Sequence, residues 1–223
     1  MKRSEINRII SESIVFLNKM NFKLPPFFYW TLADWADKGM EYDEIRDCKL
    51  GWDVTDFGLG DFASTGLVAM TIRNGILNSS EYPKTYAEKC LIVRERQVTP
   101  MHFHLFKMED IINRGGHELC IACYNAGEQE RLAATPVKVM VDGRRCEVEA
   151  GTVMRLKPGE SITLPPRQYH TFWAEGGTTL VGEVSRTNDD NIDNRFLTAP
   201  ARFSEIEEDE AVCYPLFSDI PRR

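Results

Sequence analysis

No run of about eighteen apolar residues, the length a helix needs to cross a bilayer, occurs in this chain. The opening stretch Met1-Lys2-Arg3-Ser4-Glu5-Ile6-Asn7-Arg8 lacks the apolar centre of a secretory signal. Positive charge is short: 27 Lys and Arg face 34 Asp and Glu, giving a net charge of −7. That balance argues against nucleic acid or an anionic membrane as partner, because both recruit basic surface. No cysteine framework is evident either. Cys48, Cys90, Cys120, Cys123, Cys146 and Cys213 are scattered through a chain long enough to bury a core without disulfides. Reduced thiols and a cytoplasmic location are the expectation. Histidine is scarce, with four in 223 residues.

What is present divides in two. Ile6, Ile9, Ile10, Ser13, Ile14, Leu17 and Met20 recur at spacings of three and four, which predicts a helix over residues 4–20 with Ser4 as its N-cap. After Pro25-Pro26, Thr31 as cap, Asp34 in the first turn and Gly39 at the end predict a second, short helix. From Gly51 onward the pattern becomes short β-rich runs: 66–73, 87–95, 97–105, 118–124, 137–141, 144–149, 152–156, 161–164, 169–174 and 178–185. Asp142-Gly143 reads as a tight hairpin, and Lys157-Pro158-Gly159-Glu160 and Glu175-Gly176-Gly177 as further turns. Many short strands without intervening helices imply an antiparallel sandwich or barrel. Residues 1–50 are read as a helical extension packed on a single β-barrel unit of residues 51–223. The acidic run Glu205–Glu210 reads as a solvated surface segment.

Three of the four histidines fall into one pattern. His102 and His104 are two apart, so on a strand they share a face while Phe103 takes the other. Glu109 can return from the next strand and His170 from a distant one. Three neutral imidazoles and a carboxylate leave two positions open on a six-coordinate ion, a set suited to Mn²⁺, Fe²⁺, Co²⁺, Ni²⁺ or Zn²⁺. Taken alone, H-x-H is equally a polar pair on a solvated strand face.

The wider context resembles the cupin superfamily. Its first motif is matched by His102-Phe103-His104, four residues, Glu109, six residues, Gly116; its second by Gly159, five residues, Pro165-Pro166-Arg167-Gln168-Tyr169-His170. Arg96 and Arg167 stand where those motifs carry glycine. The phrases Lys107–Gly116 and Asp193-Asn194-Arg195-Phe196 are similar to those of cupin-type D-lyxose isomerases, as are the helical N-terminus and the length. The resemblance implies an all-β cupin jelly-roll barrel with an N-terminal helical extension. It also implies a Mn²⁺-dependent aldose–ketose isomerase acting on D-lyxose and D-xylulose, with D-mannose and D-fructose as a related pair. His102, His104, Glu109 and His170 would be its metal ligands. A homodimer follows by analogy with other cupins.

Such chemistry moves hydrogen between C1 and C2 of an open-chain sugar, so it needs a base near both carbons and a donor to the oxygens. Glu183 is the candidate base: it shares a strand face with Val181 and Ser185, and an acid among apolar neighbours is costly unless paired or used. Its alternative is a surface carboxylate on an edge strand. Lys107, two residues before Glu109, is the candidate proton donor and hydroxyl ligand. Asp193 and Arg195 are candidate substrate contacts from a loop closing the barrel mouth, Glu118 is a reserve carboxylate, and Trp173 a possible sugar platform. Cys120-Ile121-Ala122-Cys123 has no second pair to complete a zinc site and reads as core. His117 reads as a turn residue. A dioxygenase-type metal cupin and a non-catalytic sugar-binding cupin are the competing functions; an apolar site would favour the first, and a site indifferent to loss of Glu183 the second.

Overall fold

The computed structural model describes residues 1–198 and 201–221. Its frame is two antiparallel sheets curled into a barrel. One sheet holds eight strands: β1 (Gly51–Thr55), β2 (Leu67–Arg73), β3 (Tyr86–Val93), β13 (Thr179–Arg186), β5 (Glu109–Gly115), β11 (Ser161–Leu164), β8 (Val137–Val141) and β9 (Arg144–Val148), in that spatial order. The other runs β10 (Val153–Leu156), β6 (Glu118–Ala126), β12 (Gln168–Glu175), β4 (Thr99–His104) and β14 (Asn194–Phe196), with β7 (Leu132–Ala133) added beside β6. This is the expected cupin jelly roll. The hairpin at Asp142-Gly143 joins β8 to β9, with positive φ at both residues.

Strand alternation sets two cores. Inward residues such as Leu91, Val93, Ile111, Ile121, Phe172 and Val181 fill the barrel. Their outward neighbours Val68, Met70, Cys90, Ile92 and Leu180 are also buried, because a helix covers that face. This helix, α1 (Arg3–Lys19), contributes Ile6, Ile9, Ile10 and Leu17 to the second core. A sheet sandwiched in this way reads as a near-continuous apolar run, as β2 does. The short helix α2 (Leu32–Ala36) begins with the expected Thr31 cap and a reciprocal Asp34 bond, but ends before Gly39. Helix α3 (Asp43–Asp47) precedes β1. No helix among the described residues is long and apolar enough to cross a membrane.

One expectation is corrected. The N-cap of α1 is Lys2, not Ser4. The Ser4 hydroxyl instead donates to Asp209 at 2.7 Å. That bond comes from the acidic run, which lies on the surface as expected and straps the start of α1. Glu208 takes the Arg3 guanidinium in a fork at 2.9 and 2.7 Å, Asp219 takes its other edge at 2.8 and 3.0 Å, and Glu210 accepts from Asn7 at 3.0 Å. Carboxylates at a helix N-terminus complement its partial positive charge, and Arg3 is only 1% exposed.

The arginines at the two motif glycine positions keep the glycine conformation: φ is +58° at Arg96 and +62° at Arg167. Arg167 lays its guanidinium over Phe103, 5.3 Å from the ring centre. Gly116 obeys its motif for a plain reason: with φ at +98°, a Cβ there would sit 2.4 Å from the Thr178 carbonyl.

Candidate active site

Residue period fixes which side chains enter the barrel. His102 and His104 project inward from β4, and His170 of β12 is the cross-strand partner of His102. One nitrogen from each of the three rings lies within 4.8 Å of the others. Glu109, the first residue of β5, brings Oε1 to 3.3 Å from His104 Nε2 and 3.2 Å from His170 Nε2. Neighbouring donors on one first-row ion with bonds of about 2.1 Å stand roughly 3 Å apart, so this spacing fits a shared metal.

The outer hydrogen bonds also fit. His102 Nδ1 meets the Pro100 carbonyl at 2.8 Å and His170 Nδ1 the Gln168 carbonyl at 3.1 Å. A carbonyl only accepts, so each Nδ1 carries the proton and each Nε2 keeps its lone pair free for a metal. Burial, reinforced by the adjacent His170 and His104, pushes the His102 pKa well below its usual value. Burial likewise lowers His104 against the opposing pull of Glu109. Burial opposes ionisation of Glu109, yet His104 and Lys107 outweigh it and hold that carboxyl well below the carboxylate range. For His102, His104 and Glu109 these shifts favour the forms that bind a metal, neutral imidazole and carboxylate.

From Glu109 a chain of alternating charges crosses the cavity. Lys107 Nζ lies 2.8 Å from Glu109 Oε2 and 2.8 Å from Glu183 Oε1. Glu183 is buried on β13, a central strand, and therefore is no edge-strand surface group. Its direct cross-strand partner is Lys89 on β3, whose Nζ stands 3.5 Å from Glu183 and 3.5 Å from Asp190. Asp190 accepts from Arg202 Nη2 at 3.0 Å, and the same nitrogen reaches Asp53 Oδ2 at 2.7 Å. Burial raises the desolvation penalty on Asp190, but Lys89 and Arg202 overcome it and depress its pKa.

The cavity is walled by Phe57, Leu67, Leu91, Phe172 and Phe196 beside the polar groups. Nine buried side-chain N or O atoms lack a hydrogen-bond partner among the described residues, and five belong to residues lining this one cavity: Thr99 Oγ1, His104 Nδ1, His170 Nε2, Asn194 Oδ1 and Arg202 Nη1. Buried polar atoms normally find partners, so such a concentration marks a place where a polar ligand completes them.

His102, His104, Glu109, His170, Lys107 and Glu183 are brought together; Asp193 and Arg195 are not. Asp193 accepts from the Phe106 and Lys107 amides at 2.8 and 3.2 Å, bracing the loop that carries Lys107, and stays 3.9 Å from His104 Nδ1. Arg195 pairs with Phe103 in the β14–β4 register, so it faces away from the histidines while Asn194, opposite His104, faces them. Its guanidinium donates to the Ile192 and Asn194 carbonyls. Trp173 alternates out of phase with His170 and lines a groove of about 670 Å³ on the outer sheet face with Arg96 and Glu175, away from the metal ligands. Glu118 pairs with Arg155 on that outer face. Cys120 and Cys123 are buried thiols whose pKa values burial pushes up to about 11 and about 12. Lys89, Asp190, Arg202, Thr99 and Asn194 were not anticipated. Lys89 carried a signal: it is in phase with Ala87, Leu91 and Val93 on an otherwise apolar strand face.

Comparison with known proteins sharpens this picture. Residues 1–220 match the family described as D-lyxose isomerase. The chain is similar to the D-lyxose/D-mannose isomerase of Escherichia coli O157:H7, 49% identical with 94% of each chain covered. It is equally similar to the enzyme of that name from Serratia proteamaculans, 50% identical over 94% of this chain and 93% of that one. The fold resembles that of Cellulomonas parahominis L-ribose isomerase, with a TM-score of 0.59, 17% identity, and coverage of 93% and 98%.

Proposed function

The chain belongs to the D-lyxose isomerase family, and on that premise we propose that it interconverts D-lyxose with D-xylulose and D-mannose with D-fructose at the barrel cavity. The observation that carries this reading is the meeting, in one cavity, of four metal-type ligands, a buried Lys107–Glu183 pair and the cluster of unpartnered polar atoms. A polyol has the hydroxyls to complete such atoms, whereas an O₂-activating site has no use for them. The relatives' names support the substrate class.

His102, His104, Glu109 and His170 would hold a divalent ion, with Mn²⁺ our assignment and Co²⁺, Ni²⁺, Fe²⁺ or Zn²⁺ as substitutes. When bound, the ion supplies a Lewis acid that polarises the sugar carbonyl and acidifies the neighbouring C–H. Glu183 takes the proton from C2 of the aldose and returns it to C1 of the ketose. Lys107, held between two carboxylates and so kept cationic by Glu109 and Glu183 against burial, serves the oxygens on which negative charge develops. Arg202, Asn194 and Thr99 orient the remaining hydroxyls. Asp193 contributes by bracing Lys107. We leave Arg195 a role only through a hydroxyl outside the cavity. The apolar wall excludes water, which strengthens every charge interaction inside it. The six free cysteines fit a reducing cytoplasm, and we infer a homodimer, which sedimentation would test.

The decisive experiment reconstitutes the protein with divalent ions and incubates it with pentoses and hexoses in D₂O. Ketose formation from D-lyxose or D-mannose is expected, with deuterium entering the product. No conversion of either sugar with any ion would overturn the assignment.

A further inference from the structure

We propose that Asp53 is a positioning residue for this reaction: it locks Arg202 so that the unpaired edge of the guanidinium is presented to the sugar. The proposal rests on the isomerase reading above. Asp53 lies in the middle of β1, paired with Ala69 of β2. Its neighbours Trp52 and Val54 pack into the core beneath α1, so alternation turns Asp53 to the other side of the sheet. A carboxylate only 6% exposed is strongly unfavourable without a counterion. Arg202 is the one ion-pair partner Asp53 has among the described residues, at 2.7 Å.

The geometry makes that contact directional. Arg202 spends a single nitrogen, Nη2, on both Asp53 and Asp190, and its buried Nη1 has no hydrogen-bond partner among the described residues. A guanidinium is planar and rigid, so anchoring one arm between two carboxylates fixes where the other arm points. Asp190 cannot do this alone, because Lys89 and Asn194 also draw on it, at 3.5 and 3.3 Å. Arg202 lines the metal cavity and Asp53 does not. Asp53 instead borders a separate cavity of about 410 Å³ with Asn74 and Asn188. Asp53 thus stands behind Arg202 as seen from the metal cavity, and its contact with that cavity's lining runs through Arg202.

A double-mutant cycle on the metal-loaded protein tests this. Asp53→Asn should raise KM for D-lyxose about tenfold, the scale of one charge-assisted hydrogen bond, with kcat and bound metal changed far less. The same loss should appear in calorimetric binding of a non-reacting pentitol. Combined with Arg202→Ala, Asp53→Asn should add nothing further. Fully additive factors, or an unchanged KM with a lowered Tm, would overturn the proposal. If Asp53→Asn does not fold, Asp53→Glu, which keeps the charge but displaces it, runs the same cycle. A wild-type protein that converts no aldose removes the isomerase reading and this proposal with it; an active wild type with additive factors removes this proposal alone.

Discussion

Replacing Glu183 with Gln keeps the shape of the side chain but takes one negative charge from between two buried lysines. Glu183 Oε1 lies 2.8 Å from Lys107 and 3.5 Å from Lys89. With an effective dielectric of about 20, those separations correspond to gross attractions of roughly 6 and 5 kcal/mol. The net loss is smaller, because Lys107 keeps Glu109, Lys89 keeps Asp190, and the amide oxygen still accepts a hydrogen bond. The low end of the range for broken buried pairs, about 3 kcal/mol, is the expected destabilisation. For a chain of this length that lowers Tm by roughly 6–12 °C. The kinetic effect is much larger: loss of a general base lowers kcat by about 10²- to 10⁴-fold. Metal stoichiometry should stay unchanged, since Glu183 stands outside the ligand set. Ketose formation from D-lyxose, metal analysis and thermal unfolding on one preparation measure all three. A kcat within about threefold of wild type, far inside the expected loss, would refute the base assignment. Loss of metal together with activity would refute its separation from the ligand set.

Four further outcomes follow from the same geometry. Chelation should abolish turnover and lower Tm, with Mn²⁺ restoring both, while His170→Ala should not recover on Mn²⁺ addition; metal analysis and activity check this. His102 and His104 have pKa values depressed below 6.5 in the folded protein, so the unfolded chain binds more protons below that pH. Their contribution is present above about pH 6.5 and is lost as pH falls towards the folded values; apoprotein Tm should therefore drop between pH 7 and 5, and a flat profile would contradict the neutral-histidine assignment. Arg3→Met should destabilise by about 2 kcal/mol through loss of two charge-assisted forks, read by urea unfolding. Arg96→Gly should stabilise by up to about 1 kcal/mol, because the left-handed strain removed (about 1–2 kcal/mol) exceeds glycine's entropic penalty.

The convergence of His102, His104, Glu109 and His170 was legible because strand parity and motif spacing survive any detail of packing. Glu183 was legible for the same reason. A strand carrying Glu109 was anticipated, but its extent was not: in Glu109-Asp110-Ile111-Ile112-Asn113-Arg114-Gly115 the inward set includes Glu109 and Asn113, so its burial alternation is hidden by polar identity. Arg195 illustrates the limit of phrase-level reasoning. One residue of register separates it from Asn194, and on a strand one residue exchanges the two faces. Asp53, Asp190 and Arg202 meet only through tertiary structure, and no local pattern ties them to the histidines. The acidic run is a surface segment, as read, but its contacts with α1 were not legible, because its partners Arg3, Ser4 and Asn7 lie at the opposite end of the sequence.

The alternating charge chain also bears on how this protein assembles. Lys89 emerges from synthesis well before Glu183, and Asp53 long before Arg202, yet each is buried beside the other in the finished barrel. A partly completed barrel would have to enclose unneutralised charge, which the interior resists. Closure of the early strands is therefore disfavoured until Glu183, Asp190 and Arg202 are in place to neutralise Lys89 and Asp53. Non-local pairing of this kind is slow to form, and here it couples closure of the sheet to completion of the charge chain that lines the cavity.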